Sequence, residues 1–229
     1  MFRTAYWLVS YLGLMSVAAA FLVGFRYEPD APPENLWFNL ALYAAFVVVH
    51  IVMTVPAMKR LLFRGAAGTP FERRIYITTT VVTWLAVYYF HRPIGGFGWV
   101  APVWLEYLGF CIFLLAMVSF YEFSTFDNLG MFLGVPGAEL AFSAGAETPL
   151  MTTGSYSRVR HPMYRAAAVM NFASLLVHPN ASQLVFATLV TASFLLFIPL
   201  EEHQLLKARG DEYRAYMAAT PYRVFRGIW

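Results

Sequence analysis

Between Gly154 and Tyr164 the chain reads Gly-Ser-Tyr-Ser-Arg-Val-Arg-His-Pro-Met-Tyr, a glycine turn with two arginines, a histidine and several hydroxyls set directly before an apolar run. Proline is at home in the first turn of a helix and pushes the residue before it out of the helical region. Pro162 is therefore expected to open a helix, with His161 at its entrance. A helix entrance has unpaired N–H groups and the positive end of the dipole, so with Arg160 and His161 beside it the place suits a carboxylate or phosphate. Gly154 permits the turn that returns Tyr156 to the same spot. About forty residues further on, Glu201 and Glu202 close another apolar run. Two adjacent carboxylates at a helix C-terminal end are disfavoured by the dipole and by each other. They require a partner: Arg160, an arginine of the tail, or a cationic ligand.

A ligand bearing a carboxylate, an ammonium, ribose hydroxyls and a sulfonium would satisfy both clusters, and S-adenosylmethionine has all four. Two further residues are candidates for chemistry. His50 stands inside an apolar run, about 10 Å from its basic end at 1.5 Å per residue. A histidine at such a depth is a functional candidate by default, and equally a structural one bonded across helices. Arg223 is a cation in the tail that would help an acceptor thiol, of ordinary pKa about 8.5, to lose its proton. Tyr213, Tyr216 and Tyr222 lie near enough in sequence to stack on an adenine. No His-x-x-x-His or Glu-x-x-His pattern is present, so no metal is expected. Cys111, in an apolar run, reads as a core thiol.

The elements that must position these groups follow from composition. Of 229 residues, 59% are hydrophobic and 13% charged, with mean hydropathy +0.57, against about 25% charged residues in soluble domains. With about 20 residues needed per span, six fit: Ala5–Phe25, Leu36–Pro56, Ile75–Phe90, Val103–Tyr121, Pro162–His178 and Ser182–Leu200. The Ala18-Ala19-Ala20 triplet resembles a cleavage site, but apolar residues continue to Phe25 and a retained helix is expected. His178-Pro-Asn-Ala makes the last two spans a hairpin. The segment 122–161 reads as an interfacial loop, with Phe126, Leu129, Met131, Phe132 and Leu133 among glycines. Residues 201–229 form a tail that splits at Gly210 into two helical pieces and stops at Pro221. Arg3, the Lys59–Arg74 loop, the Arg158–Arg165 motif and the Lys207–Arg226 tail then share one face, leaving Arg26 and Arg92 on the other. The positive-inside rule places both termini and the motif in the cytoplasm. Because the cations flank apolar runs and form no solvated stripe, the +3 charge does not imply nucleic acid.

The order Gly154-x-Tyr156-x-x-Val159-Arg160-His161-Pro162-Met163-Tyr164, Glu201-Glu202-x-x-Leu205, Gly210-x-x-Tyr213-x-x-Tyr216 and Pro221 resembles the superfamily of isoprenylcysteine carboxyl methyltransferases and phospholipid methyltransferases. His50-x-x-Met53, Lys59-Arg60, Glu72-Arg73-Arg74-x-Tyr76, Arg92-Pro93-Ile94 and Phe126-Asp127-x-x-Gly130 are similar to the methanethiol S-methyltransferase and NnrU-like branch. The resemblance implies an all-α, polytopic integral membrane protein of the bacterial inner membrane. It implies S-adenosylmethionine entering from the cytoplasm and a lipophilic small-molecule or lipid acceptor from the bilayer, a thiol favoured. Carried over by position, Tyr156, Arg160, His161 and Tyr164 would line the cofactor pocket, and Glu201 and Glu202 would bind its polar groups. Departures at Arg165-Ala166-Ala167, Arg209 and Thr220-Pro221-Tyr222-Arg223 bear chiefly on the acceptor side. The rival readings are a phospholipid or isoprenylcysteine carboxyl methyltransferase and a non-enzymatic NnrU-like membrane protein.

Overall fold

A computed structural model describes residues 23–64, 70–123 and 150–229. All but the last three residues of the first expected span, and most of the interfacial segment 122–161, with Phe126 and Asp127, lie outside the described residues. Within them the chain is helical: α1 (Glu34–Thr54), α2 (Pro56–Phe63), α3 (Pro70–Phe90), α4 (Val103–Phe123), a 3₁₀ turn (Gly154–Ser157), α5 (Pro162–Val177), α6 (Ala181–Arg209) and α7 (Asp211–Ala219). A single β-bridge, Gly98 with Asn180, is the extent of extended pairing among the described residues. The chain divides into two compact units.

The first unit holds α1, α2, α3, the loop to Val100 and the turn 178–183. On α1 the buried residues are Asn39, Tyr43, Phe46 and Met53, one narrow stripe at helical spacing. The remaining surface of α1 is apolar too, with Trp37 and Val48 exposed. A helix hydrophobic on every side yet little buried is at home in lipid, not water. Among the described residues, α1 and α6 are long and apolar enough to cross a bilayer.

Val55, extended at φ −67° and ψ 124°, breaks the chain before Pro56. The amphipathic α2 that follows was not anticipated within the basic segment. Lys59 reaches the nearly buried Glu72 at 2.6 Å. That contact sits in the first turn of α3, which begins five residues earlier than the expected third span because Pro70 starts it. At the other end of α3, the side chain of Asn39 accepts from the Arg92 amide at 2.9 Å and donates to its carbonyl at 2.8 Å. Beside it the Tyr43 hydroxyl meets His91 Nδ1 at 3.1 Å. Burial pushes His91 down to about 4, so it is held neutral.

The second unit holds α4, residues 150–177 and residues 184–229. Here α4 and α5 pack at very short range. A Cβ added at Gly109 would come within 2.9 Å of the Ala173 carbonyl, and Ala166, Ala167, Ala168 and Ala173 of α5 are buried. Small residues on facing helices allow such an approach, and dispersion replaces the missing side-chain bulk. The first turn of α6 is capped by Asn180, whose Oδ1 accepts from the Gln183 amide at 2.9 Å.

One expectation is overturned here. Glu201 and Glu202 do not end a helix: α6 continues through Pro199 and both glutamates to Arg209. At 1.5 Å per residue, Glu201 lies about 30 Å from the start of α6, about one hydrocarbon thickness, and the helix goes on beyond it. The proline removes one backbone bond without stopping the helix. Because α6 carries on, the carboxylates escape its negative end, and cations from elsewhere compensate them.

Candidate active site

The site is assembled from the chain around the start of α5, the far half of α6, α7 and the tail. Val159 is fully buried and anchors the approach to α5. Gly154 has φ +62°, a conformation open to glycine at little cost, and it launches the 3₁₀ turn that carries Tyr156. The Tyr216 hydroxyl of α7 donates to the Tyr156 carbonyl at 2.9 Å, tying α7 to that turn. Pro162 opens α5 as expected.

The backbone of the motif is engaged otherwise than expected. The amides of Arg160 and His161 donate to the carbonyls of Tyr222 and Arg223 at 2.9 and 2.8 Å. These N–H groups hold the tail and so are not aimed at an anion. Arg160 is committed in the same way, Nε to Glu202 at 2.7 Å and Nη1 to the carbonyls of Thr220 and Pro221 at 2.7 and 2.8 Å.

Glu202, 3% exposed, is the hub of this cluster. Its Oε1 takes Arg160 and His161 Nε2, the latter at 3.2 Å, and its Oε2 takes Arg223 Nε at 2.9 Å. Burial alone would raise the carboxyl, but hydrogen bonds from His161, Arg160 and Arg223, with the Arg160 charge, hold it down at about 2. Burial likewise disfavours a charged His161. Its hydrogen bonds to Glu201 and Glu202 prevail and raise it above the usual histidine range. With Nδ1 3.5 Å from Glu201 Oε2 and Nε2 against Glu202, both nitrogens face carboxylates, as an imidazolium requires.

Glu201 points elsewhere. Its Oε2 accepts from the Tyr164 hydroxyl at 2.9 Å, its side chain is 45% exposed, and it lines an open cleft of about 160 Å³. The rings of His161, Tyr164 and Phe194 follow one another at 5.5 and 5.7 Å, each pair inclined by 14°. Tyr156, Arg160, His161, Tyr164 and Glu201, all nominated from sequence, line that one cleft, and Glu202 stands behind its wall. Tyr213 and Tyr216 line it as well, whereas Tyr222 contributes its carbonyl to Arg160. Leu150, Met151, Met163 and Leu205 complete it. Apolar residues in an apolar chain give little signal of such a role. Leu205, one helical turn beyond Glu201, was the one that spacing could have found.

The two residues nominated for acceptor chemistry fall in different units. Arg223 is on Glu202, with its guanidinium 4.9 Å from the Trp229 ring. His50 belongs to the first unit, where its Nε2 is 2.7 Å from the Tyr76 hydroxyl and its ring lies tilted against those of Phe46 and Tyr76 at 5.2 and 5.0 Å.

The cleft offers a half-exposed carboxylate, phenolic hydroxyls and aromatic faces, with arginines withdrawn into its wall. The chemistry of these groups is hydrogen-bonding and aromatic. Among the described residues the chain is thus all-helical, with two helices long and apolar enough to cross a bilayer and a cleft lined by polar and aromatic groups.

The phospholipid methyltransferase family model matches residues 105–211, a stretch that includes α5, α6 and the cleft carboxylates. Methanethiol S-methyltransferase 1 of Bradyrhizobium diazoefficiens is 29% identical over 80% of this chain and 64% of its own length. Methanethiol S-methyltransferase 2 of the same organism is 27% identical over 95% and 85%. The methanethiol S-methyltransferase of Mycobacterium tuberculosis is 30% identical over 78% and 73%. This chain thus spans 64% of the length of the first Bradyrhizobium relative. No solved structure matches it. The chain belongs to the family of the methanethiol S-methyltransferases, and the part of it from 105 to 211 matches the phospholipid methyltransferase model.

Proposed function

We propose that the chain is an integral membrane, S-adenosylmethionine-dependent methyltransferase acting on a small lipophilic thiol. The observation that carries this reading is Glu201: a cleft-facing carboxylate, fixed by Tyr164 and flanked by aromatic rings, within the segment matched by a methyltransferase family. Methanethiol is the acceptor named for the relatives above and is the one proposed here.

When bound, S-adenosylmethionine supplies a methyl group on a positively charged sulfur, open to in-line displacement. The chain's residues bind, orient and exclude water. Glu201, whose second oxygen keeps hydrogen-bonding capacity, is assigned the ammonium or ribose hydroxyls. Tyr156, Tyr213 and Tyr216 are assigned the nucleoside, and Tyr164 the fixing of Glu201 through its hydroxyl. Arg160, His161 and Glu202 keep these groups in place. Because a charge is cancelled as the methyl moves, alignment and a dry site contribute most of the acceleration.

The membrane reading extends the same proposal. Six spans put the cleft carboxylates at the cytoplasmic face with both termini, where the cofactor is found, while a lipophilic acceptor arrives through the bilayer. The phospholipid methyltransferase match supports one alternative, a lipid amine as acceptor. The test is incubation of the purified protein with methyl-labelled S-adenosylmethionine and, separately, methanethiol, longer thiols, phosphatidylethanolamine and prenylcysteine. Label in volatile dimethyl sulfide is expected. Label in lipid alone would replace the thiol reading, and no label in any acceptor would reject both.

A further inference from the structure

The tail beyond α7 is built into the wall of the cleft. Arg160 Nη1 binds the carbonyls of Thr220 and Pro221, and the amides of Arg160 and His161 bind those of Tyr222 and Arg223. The chain then turns back, so that the Arg223 and Val224 amides donate to the Trp229 carbonyl at 2.9 and 3.2 Å. This turn brings the indole behind the guanidinium, 4.9 Å from its centre. Resting on the cofactor reading above, we propose that Arg223 is a positioning residue: backed by Trp229, it fixes Glu202 and shares its charge, and through Glu202 it holds His161 in place, touching neither cofactor nor acceptor.

The geometry leaves Arg223 that role. It does not line the cleft, and its Nε is spent on Glu202 Oε2, the oxygen that Arg160 and His161 do not use. Three cations therefore share one buried carboxylate. Without Arg223, Oε2 loses its charged partner. Glu202 stays held at Oε1 by Arg160 and His161 but is less neutralised and less firmly oriented. The groups facing His161 are Glu201 and Glu202 from α6, Tyr164 from its own helix, Arg160 beside it and Arg223 from the tail, while Tyr213 of α7 senses the same carboxylates. Of these, Arg223 is the cation that comes from the tail. Removing it makes the surroundings of His161 more negative, so the imidazolium should hold its proton to higher pH.

The test uses the full chain in detergent with isotopically labelled histidine, its imidazole titration followed by NMR and the His161 signal identified by its loss in His161→Gln. S-adenosylhomocysteine affinity is measured on the same samples. Arg223→Gln is expected to move the His161 midpoint upward and to weaken affinity about ten- to a hundredfold, as loss of a charged hydrogen bond does. Arg223→Lys keeps the charge without the planar fork, so its midpoint should stay near wild type with a smaller loss of affinity. Arg226→Gln removes an equal charge from an exposed position of the same tail and should change neither. Should Arg223→Gln fail to fold, Trp229→Ala is expected to move the midpoint upward and Trp229→Phe to restore it. An unmoved midpoint in Arg223→Gln, or in Trp229→Ala where the former does not fold, would overturn the proposal. So would equal effects of Arg226→Gln and Arg223→Gln. If wild type binds no S-adenosylhomocysteine, the cofactor reading fails, yet the midpoints still decide the role of Arg223.

Discussion

Two glutamates adjacent in sequence lie in opposite environments. Glu202 is sealed among Arg160, His161 and Arg223, while Glu201 faces the cleft with Tyr164 as its partner. Substitution should separate them. Glu202→Gln leaves the buried Arg160 without its counter-charge, and one-sided loss of a buried pair costs about 3–5 kcal/mol, so thermal unfolding should show a severely destabilised protein. Glu201→Gln changes a half-exposed group and should leave the melting temperature nearly unchanged while weakening ligand binding. The two histidines predict opposite pH slopes. His161 is raised above 6.5 in the fold, so its stabilisation is complete below 6.5 and is lost as pH rises through the folded value. His91, lowered to about 4 from 6.5, contributes stability above 6.5 that is lost as pH falls toward 4. In melting curves taken across pH, His161→Gln should flatten the alkaline fall and His91→Gln the acidic one. The cleft residues themselves were legible because an unusual density of polar groups before an apolar run has few bland explanations. The division of labour between the glutamates was not, since their partners come from 42 residues earlier and 21 later. No local pattern encodes that pairing.

At the scale of elements, the start of α5 could be read from His161-Pro162, because proline's steric rule is local. The break after α6 could be read too, at Gly210, which takes φ +53°. The unbroken run of α6 through Pro199 and the glutamate pair could not, because both look like stop signals. The short α2 was hidden in the same way, by an abundance of basic residues that reads as loop. Two glycines carry predictions at this scale. Gly109→Leu places a side chain where a Cβ alone would already meet the Ala173 carbonyl at 2.9 Å, and overpacking of this kind costs about 1–3 kcal/mol or more. A lowered melting temperature is expected. Gly154, at φ +62° with open space around its Cβ position, is limited by backbone strain alone. Gly154→Ala should cost about 1 kcal/mol and loosen the turn bearing Tyr156, seen as weaker ligand binding with modest loss of stability.

For the molecule as a whole, composition had already excluded an ordinary soluble domain, and the exposed apolar surface of α1 gives that exclusion a structural form. The proposed topology is testable with single-cysteine reporters in a Cys111→Ser background. Cysteines at exposed Arg226 and Glu212 should react with an impermeant thiol reagent in inverted vesicles and not in intact cells, whereas one at exposed Val100 should show the reverse. The central claim is that the cleft of Tyr164, Glu201 and the α7 tyrosines receives the methyl donor. Calorimetric titration of the purified chain with S-adenosylhomocysteine tests it most directly. Saturable binding by wild type, at least about tenfold weaker in a Glu201→Gln protein of unchanged melting temperature, is the predicted result. A folded wild-type protein that takes up none of it, or two proteins that bind it equally well, would contradict the claim.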